Sequence, residues 1–170
     1  MAYPKIDYPC EYGLKEVCRI VRQGYLAKLM GIRQTYISIA ISHKFINGKP
    51  YYMPSDKIAK ANEAIQQAAR ELAKVKFSVC PLTEEEAPYS FGETPADQMR
   101  TFRKRFCAPY LLETSMGWSE NRAKMYFNST THYYYNKVSQ IDLDMITRMA
   151  ELAARDLERI RLVKDEEMGN

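Results

Sequence analysis

The chain is poor in the residues that most catalytic and metal chemistry requires. It has 2 histidines and 4 cysteines among 170 residues. Cys10, Cys18, Cys80 and Cys107 show no CxxC spacing, and the two histidines stand far apart, so neither a metal site nor a disulfide framework is expected. A reducing compartment suits such thiols. No run of 18 apolar residues occurs and no charged-then-apolar leader opens the chain, which points to a cytoplasmic protein without membrane contact. The sequon Asn128-Ser129-Thr130 is inert in that setting. There is no nucleophile elbow and no phosphate-cradling glycine loop. Carboxylates crowd into residues 78–97 or alternate with arginines along the last helix as surface ion pairs. The expectation is a protein that is not an enzyme, with no cofactor, no metal and no small-molecule substrate.

What is present is charge with an uneven distribution. Residues 1–77 carry 13 Lys/Arg against 6 Asp/Glu, residues 78–97 carry 5 acids and no base, and residues 98–170 carry 12 bases and 10 acids. A basic first part suits an anionic partner such as nucleic acid. The acidic block, "SVCPLTEEEAPYSFGETPAD", holds three prolines and a glycine and reads as a linker. It divides the chain into an N-terminal unit, 1–77, and a C-terminal unit, 98–170.

The two halves resemble copies. A shift of 86 residues lays Leu26, Met30, Gly31 and Ile32 on Leu112, Met116, Gly117 and Trp118. "HKFIN" meets "HYYYN" after an insertion, and one long amphipathic segment follows in each half. Apolar spacing predicts four helices per half, at about 11–22, 26–30, 34–42 and 55–76, then at about 95–106, 109–115, 119–129 and 141–164. The fold class is therefore all-α, two helix-turn-helix-type units, with a short β-hairpin or an extended loop after each third helix. Asn47-Gly48 suits a hairpin turn, whereas Pro50 opposes a regular ladder and the second half keeps only Asn136-Lys137. Ser55-Asp56 and Ser119 are the expected N-caps.

The most informative stretch is "QGYLAKLMGIRQTYIS", residues 23–38. A helix-turn-helix needs a small residue at the helix crossing, a turn that tolerates left-handed backbone, and apolar residues after the turn and midway along the second helix. Ala27, Gly31, Ile32 and Ile37 occupy those places. With Gln23, Leu26 and Ser38 also in register, and Thr35 beside the place of a small polar residue, the stretch resembles the Cro and phage-repressor (XRE-like) helix-turn-helix. The unit that includes "NGKP" and the long following helix also resembles a family of short uncharacterised bacterial proteins with a helix-turn-helix-like core, which implies a fold and no particular activity.

This resemblance implies a double-stranded DNA partner and a regulatory or accessory role. On the reading helix Arg33, Gln34, Thr35, Ser38 and Ser42 face outward, with Lys28, Lys44 and Lys49 as phosphate anchors. Arg33 suits guanine or a phosphate, and Gln34 suits adenine. The equivalent residues of the second unit are Ser119, Asn121, Lys124 and Asn128, alongside Glu120 and Met125. Glu120 is unfavourable near phosphates, and Glu113 stands where Ala27 gives a close crossing. The second copy is accordingly assigned to pairing, with the first copy or as a homodimer. Ile39 fits the DNA reading less well. The competing reading is a protein–protein interaction module with the same fold and no nucleic acid, using Ile39, Trp118, Met125 and the tyrosines of 133–135. Those tyrosines also suit stacking on unpaired bases. "RTFRKRF", 100–106, reads as the solvated face of an amphipathic helix around Phe102 and Phe106.

Overall fold

The computed structural model describes residues 4–42, 45–46, 48–77, 95–127 and 139–165. Eight helices account for most of them: α1 (Cys10–Val17), α2 (Gln23–Met30), α3 (Gln34–Ser42), α4 (Ser55–Lys74), α5 (Pro95–Arg105), α6 (Ala108–Met116), α7 (Glu120–Phe127) and α8 (Gln140–Glu158). The fold is all-α. Strands are short: β1 (Ile6–Pro9), β2 (Phe45–Ile46), β3 (Lys49–Pro50) and β4 (Ile160–Val163).

The chain divides into two compact units, one of Met1–Ala69 with Arg155–Asn170, the other of Arg70–Ala154. The boundaries fall inside α4 and α8. Residues 155–165, which the proline-based division assigns to the second half, lie in the first unit because β4 pairs with β1. That pairing is parallel, setting Ile6 opposite Ile160, Asp7 opposite Arg161, Tyr8 opposite Leu162 and Pro9 opposite Val163.

In the first unit, α1 packs on this two-stranded sheet and on α3, and α2 packs on α3. The approach of α1 to β4 is close: a β-carbon on Gly13 would stand 2.1 Å from Leu162 Cδ2 and 2.9 Å from Tyr8 Cβ. Only glycine fits there. Pro9 precedes α1 and has no side chain able to cap it. The carboxylate of Asp165 does this from the other end of the unit, accepting the Glu11 amide at 3.0 Å. Such caps contribute about 0.5–2 kcal/mol. The outer edge of β4 is closed by Asn62 of α4, whose Nδ2 donates to the Leu162 carbonyl at 3.0 Å and whose Oδ1 accepts the Leu162 amide at 2.8 Å. The side chain thus stands in for a neighbouring strand.

Two expectations fail here. The first helix ends at Val17 rather than near 22. A turn through 18–20 carries Val21 into the same core, where both valines are fully buried, and so imitates a helical period. The last helix ends at Glu158 rather than 164. Ile160 and Leu162 are buried and Arg161 is exposed, a period of two that belongs to a strand. The Asn47-Gly48 region does form a short antiparallel ladder, Phe45 with Pro50 and Ile46 with Lys49, around Gly48 at φ 79°.

In the second unit, α6 packs on α7, and α5 packs on α7. Phe102 and Phe106 of α5 are fully buried, and Phe77 meets Phe102 edge to face at 5.1 Å between ring centres. Contacts of this kind add roughly 0.5–1.5 kcal/mol beyond the area they bury. The arginine-rich run around these rings is the polar side of α5: Arg100, Arg103 and Lys104 are exposed, and Arg105 pairs with Glu71 at 3.6 Å. Ser139 caps α8 and Ser119 caps α7, each hydroxyl accepting an amide at 3.2 Å. The long fourth helix begins one residue after Pro54, whose carbonyl accepts from Lys57 and Ile58, so the cap expected at Ser55-Asp56 sits one place earlier.

Among the described residues no helix is long and apolar enough to cross a membrane. Pro81, Pro88, the sequon and Cys80 lie outside the described residues, whereas Pro95, expected in the linker, is the first residue of α5.

Candidate nucleic-acid interface

The turn between α2 and α3 is set by Gly31, which adopts φ 71° and ψ 29°. In that left-handed geometry the Gly31 amide donates to Lys28 O at 3.2 Å and the Ile32 amide to Ala27 O at 3.0 Å, closing the end of α2. Ala27 is 3% exposed and Ile37 fully buried, so the small residue and the mid-helix anchor both face the crossing. Gly117, its counterpart under the 86-residue shift, takes φ 69° and ψ 21° at the end of α6.

This packing leaves one side of α3 in solvent. Arg33, just before the helix, and Gln34, Thr35 and Ser42 on it are exposed, and Ser38 is half-buried. Lys28 is exposed on α2. The surroundings are electropositive. From residue 17 to residue 55 the sequence contains no acid and six bases: Arg19, Arg22, Lys28, Arg33, Lys44 and Lys49. Among the described residues, neither Arg33 nor Lys28 makes an ion pair.

The individual side chains are less uniformly available. The Gln34 amide lies against α2, so close that a β-carbon on Gly24 would stand 3.3 Å from its Oε1. The Ser42 hydroxyl donates to the Ser38 carbonyl at 2.8 Å, which leaves it only as an acceptor toward a ligand. Ile39 is half-buried rather than outward-facing. Lys44 lies outside the described residues. Lys49 is in β3, on the strand that answers Ile46.

The second unit arranges its equivalent residues differently. Ser119 is exposed but serves as the cap of α7. Asn121 and Lys124 are exposed, and Lys124 is bonded to Glu120 one turn earlier. That partnership holds the Glu120 carboxyl below, and the Lys124 ammonium above, its ordinary range. Trp118 is 4% exposed, which removes it from any contact surface. Arg122, which sequence reasoning passed over, sits 3.9 Å above the Trp118 ring and pairs with Asp142 of α8 at 2.5 Å. The arginine of this helix is therefore engaged by Trp118 and Asp142, with its side chain still 41% exposed. Asn128 and the tyrosines at 133–135 lie outside the described residues, and Met125 is a residue of α7.

Beside the α2–α3 turn runs a groove of about 420 Å³. Its lining combines apolar Ile32 and Met53, the rings of Tyr36 and Tyr51, and the cations Arg33 and Lys57. The tyrosine rings lie 6.1 Å apart at 45°. Burial raises the Tyr51 phenol above its ordinary value, with Tyr36, Cys10 and Asp56 adding to the shift. Tyr36 remains 43% exposed. The local sequence offers no signal for this groove, because its halves are joined only by folding of 51–57 against the turn.

Among the described residues no cluster of histidine, cysteine or carboxylate side chains could hold a metal ion. No family model, curated protein or solved structure matches the chain.

Proposed function

We propose that the chain binds double-stranded DNA by presenting the exposed side of α3 to the major groove. The observation that carries this reading is the exposed polar side of α3, standing in a stretch of 39 residues that contains no acid. Arg33 is the base- or phosphate-contacting cation, Thr35 a polar contact beside it, and Lys28, Lys44 and Lys49 the backbone anchors. Gln34 reaches adenine after its amide swings away from Gly24, and Ser38 and Ser42 contribute acceptors. The second unit, with Glu120 at the start of α7 and Arg122 engaged by Trp118 and Asp142, acts in packing or pairing.

The test is a fluorescence-anisotropy titration of duplex DNA at 50 and 200 mM salt. Four phosphate contacts release enough counterions to weaken binding roughly a hundredfold across that range. Replacing Arg33 and Gln34 together by alanine is expected to relax sequence preference by about 1–3 kcal/mol per lost base contact. Affinity that ignores salt, or a double variant as selective as the parent, removes α3 from the role. Salt-insensitive binding to a protein would instead favour the interaction-module reading.

A further inference from the structure

Apart from Arg33, the groove beside the α2–α3 turn is lined by residues that the DNA reading does not use. It joins apolar residues, an exposed aromatic face and two cations, Arg33 and Lys57, with no carboxylate among its lining residues. We propose that this groove binds a nucleoside 5′-phosphate, its base stacked on Tyr36 and its phosphate held between Arg33 and Lys57.

The geometry sets the pose. At 6.1 Å and 45° the two tyrosine rings already touch, so no third ring fits between them. A base therefore stacks on the solvent-facing side of Tyr36, and Tyr51 backs the pair. A volume of about 420 Å³ is within the range of small-ligand sites and far larger than a bare phosphate needs. Two cations in one lining suit a phosphate dianion, and the Arg33 fork can grip two of its oxygens. Among the described residues, neither Arg33 nor Lys57 is committed to an ion pair. The carboxylate of Asp56 acts on Tyr51 and does not line the groove. The same chemistry exists in a free mononucleotide and in an unpaired nucleotide of a strand.

The experiment is calorimetric titration of the full chain with AMP, adenosine and inorganic phosphate at low salt. AMP is expected to bind one-to-one and at least tenfold more tightly than either fragment. Lys57→Ala should weaken AMP about tenfold, the loss of one charge-assisted contact, and leave duplex DNA affinity unchanged. Tyr36→Ala should weaken AMP while Tyr36→Phe retains it, since stacking needs the ring and not the hydroxyl. Tyr36 is exposed and Lys57 half-buried, and circular dichroism of each variant verifies its fold. AMP that binds no better than phosphate, or that ignores Lys57→Ala and Tyr36→Ala, overturns the proposal. A short single strand preferred tenfold over AMP assigns the site to a strand, and the reverse order assigns it to the free nucleotide. Because the probe is AMP without DNA, loss of this site and loss of the α3 reading are seen separately.

Discussion

At the scale of single residues, the most consequential side chain in the first unit is Asn62. It makes two hydrogen bonds to the backbone of Leu162, 100 positions away, and no substitution of similar size except aspartate or asparagine itself offers even part of that pattern. Replacing it by alanine leaves an amide and a carbonyl of β4 without their partner in a partly buried place. Unpaired groups of this kind cost about 1–3 kcal/mol each. Asn62→Ala is expected to lower stability by about 2 kcal/mol, read as a shift of the urea midpoint without a change of slope. A neutral variant would mean that water reaches the strand edge freely. The role of Asn62 is invisible in the sequence, where it occupies one more polar position on an amphipathic helix.

At the scale of elements, α3 and the β1–β4 pair present opposite cases of legibility. The turn at Gly31, the buried Ala27 and Ile37 and the span of α3 follow from residue type and spacing over 16 neighbouring positions. The groove lining and the direction of Gln34 and Arg122 do not, because each depends on a side chain from another element. The pairing of β1 with β4 is illegible for a related reason: each is 4 residues long, and their register is set by partners about 154 positions apart. The register brings Asp7 and Arg161 together at 2.5 Å, and Arg161 holds the Asp7 carboxyl below its ordinary 3.8. A carboxyl lowered in the folded state contributes stability above pH 3.8 and loses it as pH falls through the folded value. Asp7→Asn is therefore expected to weaken the strand pair at pH 7 and to match the parent in acid, as read by amide exchange at Ile6, whose amide donates to the Arg159 carbonyl. Both side chains are in solvent, so the difference should shrink in high salt. A variant that differs equally at both pH values would contradict the ion-pair account.

At the scale of the molecule, the first unit is assembled from both ends of the described chain. Cys10 reports on that assembly. Its thiol touches the Met53 sulfur at 3.9 Å, and burial together with the Asp165 charge pushes it up to about 12. Alkylation of Cys10 at pH 8 should thus be roughly a thousandfold slower in the native protein than in the unfolded chain, because the thiolate is the attacking form. Mass spectrometry of peptides labelled with and without urea measures the ratio. Equal rates would show that the unit opens readily. Nothing in the sequence around Cys10 hints that this thiol would be sealed in this way, because the residues that enclose it come from distant positions.

The seam between β1 and β4 also has a consequence for synthesis. A ribosome delivers residues 4–69 long before it delivers Ile160–Val163 and Asp165, so the sheet partner, the α1 cap and the acceptor for Asn62 all arrive late. Until then α1 has an uncovered flank around Gly13, and the nascent polypeptide must wait for its closing strand. Contacts this distant in sequence are slow to form. Residues 70–154 can settle during that interval, so the part made first is the part finished last.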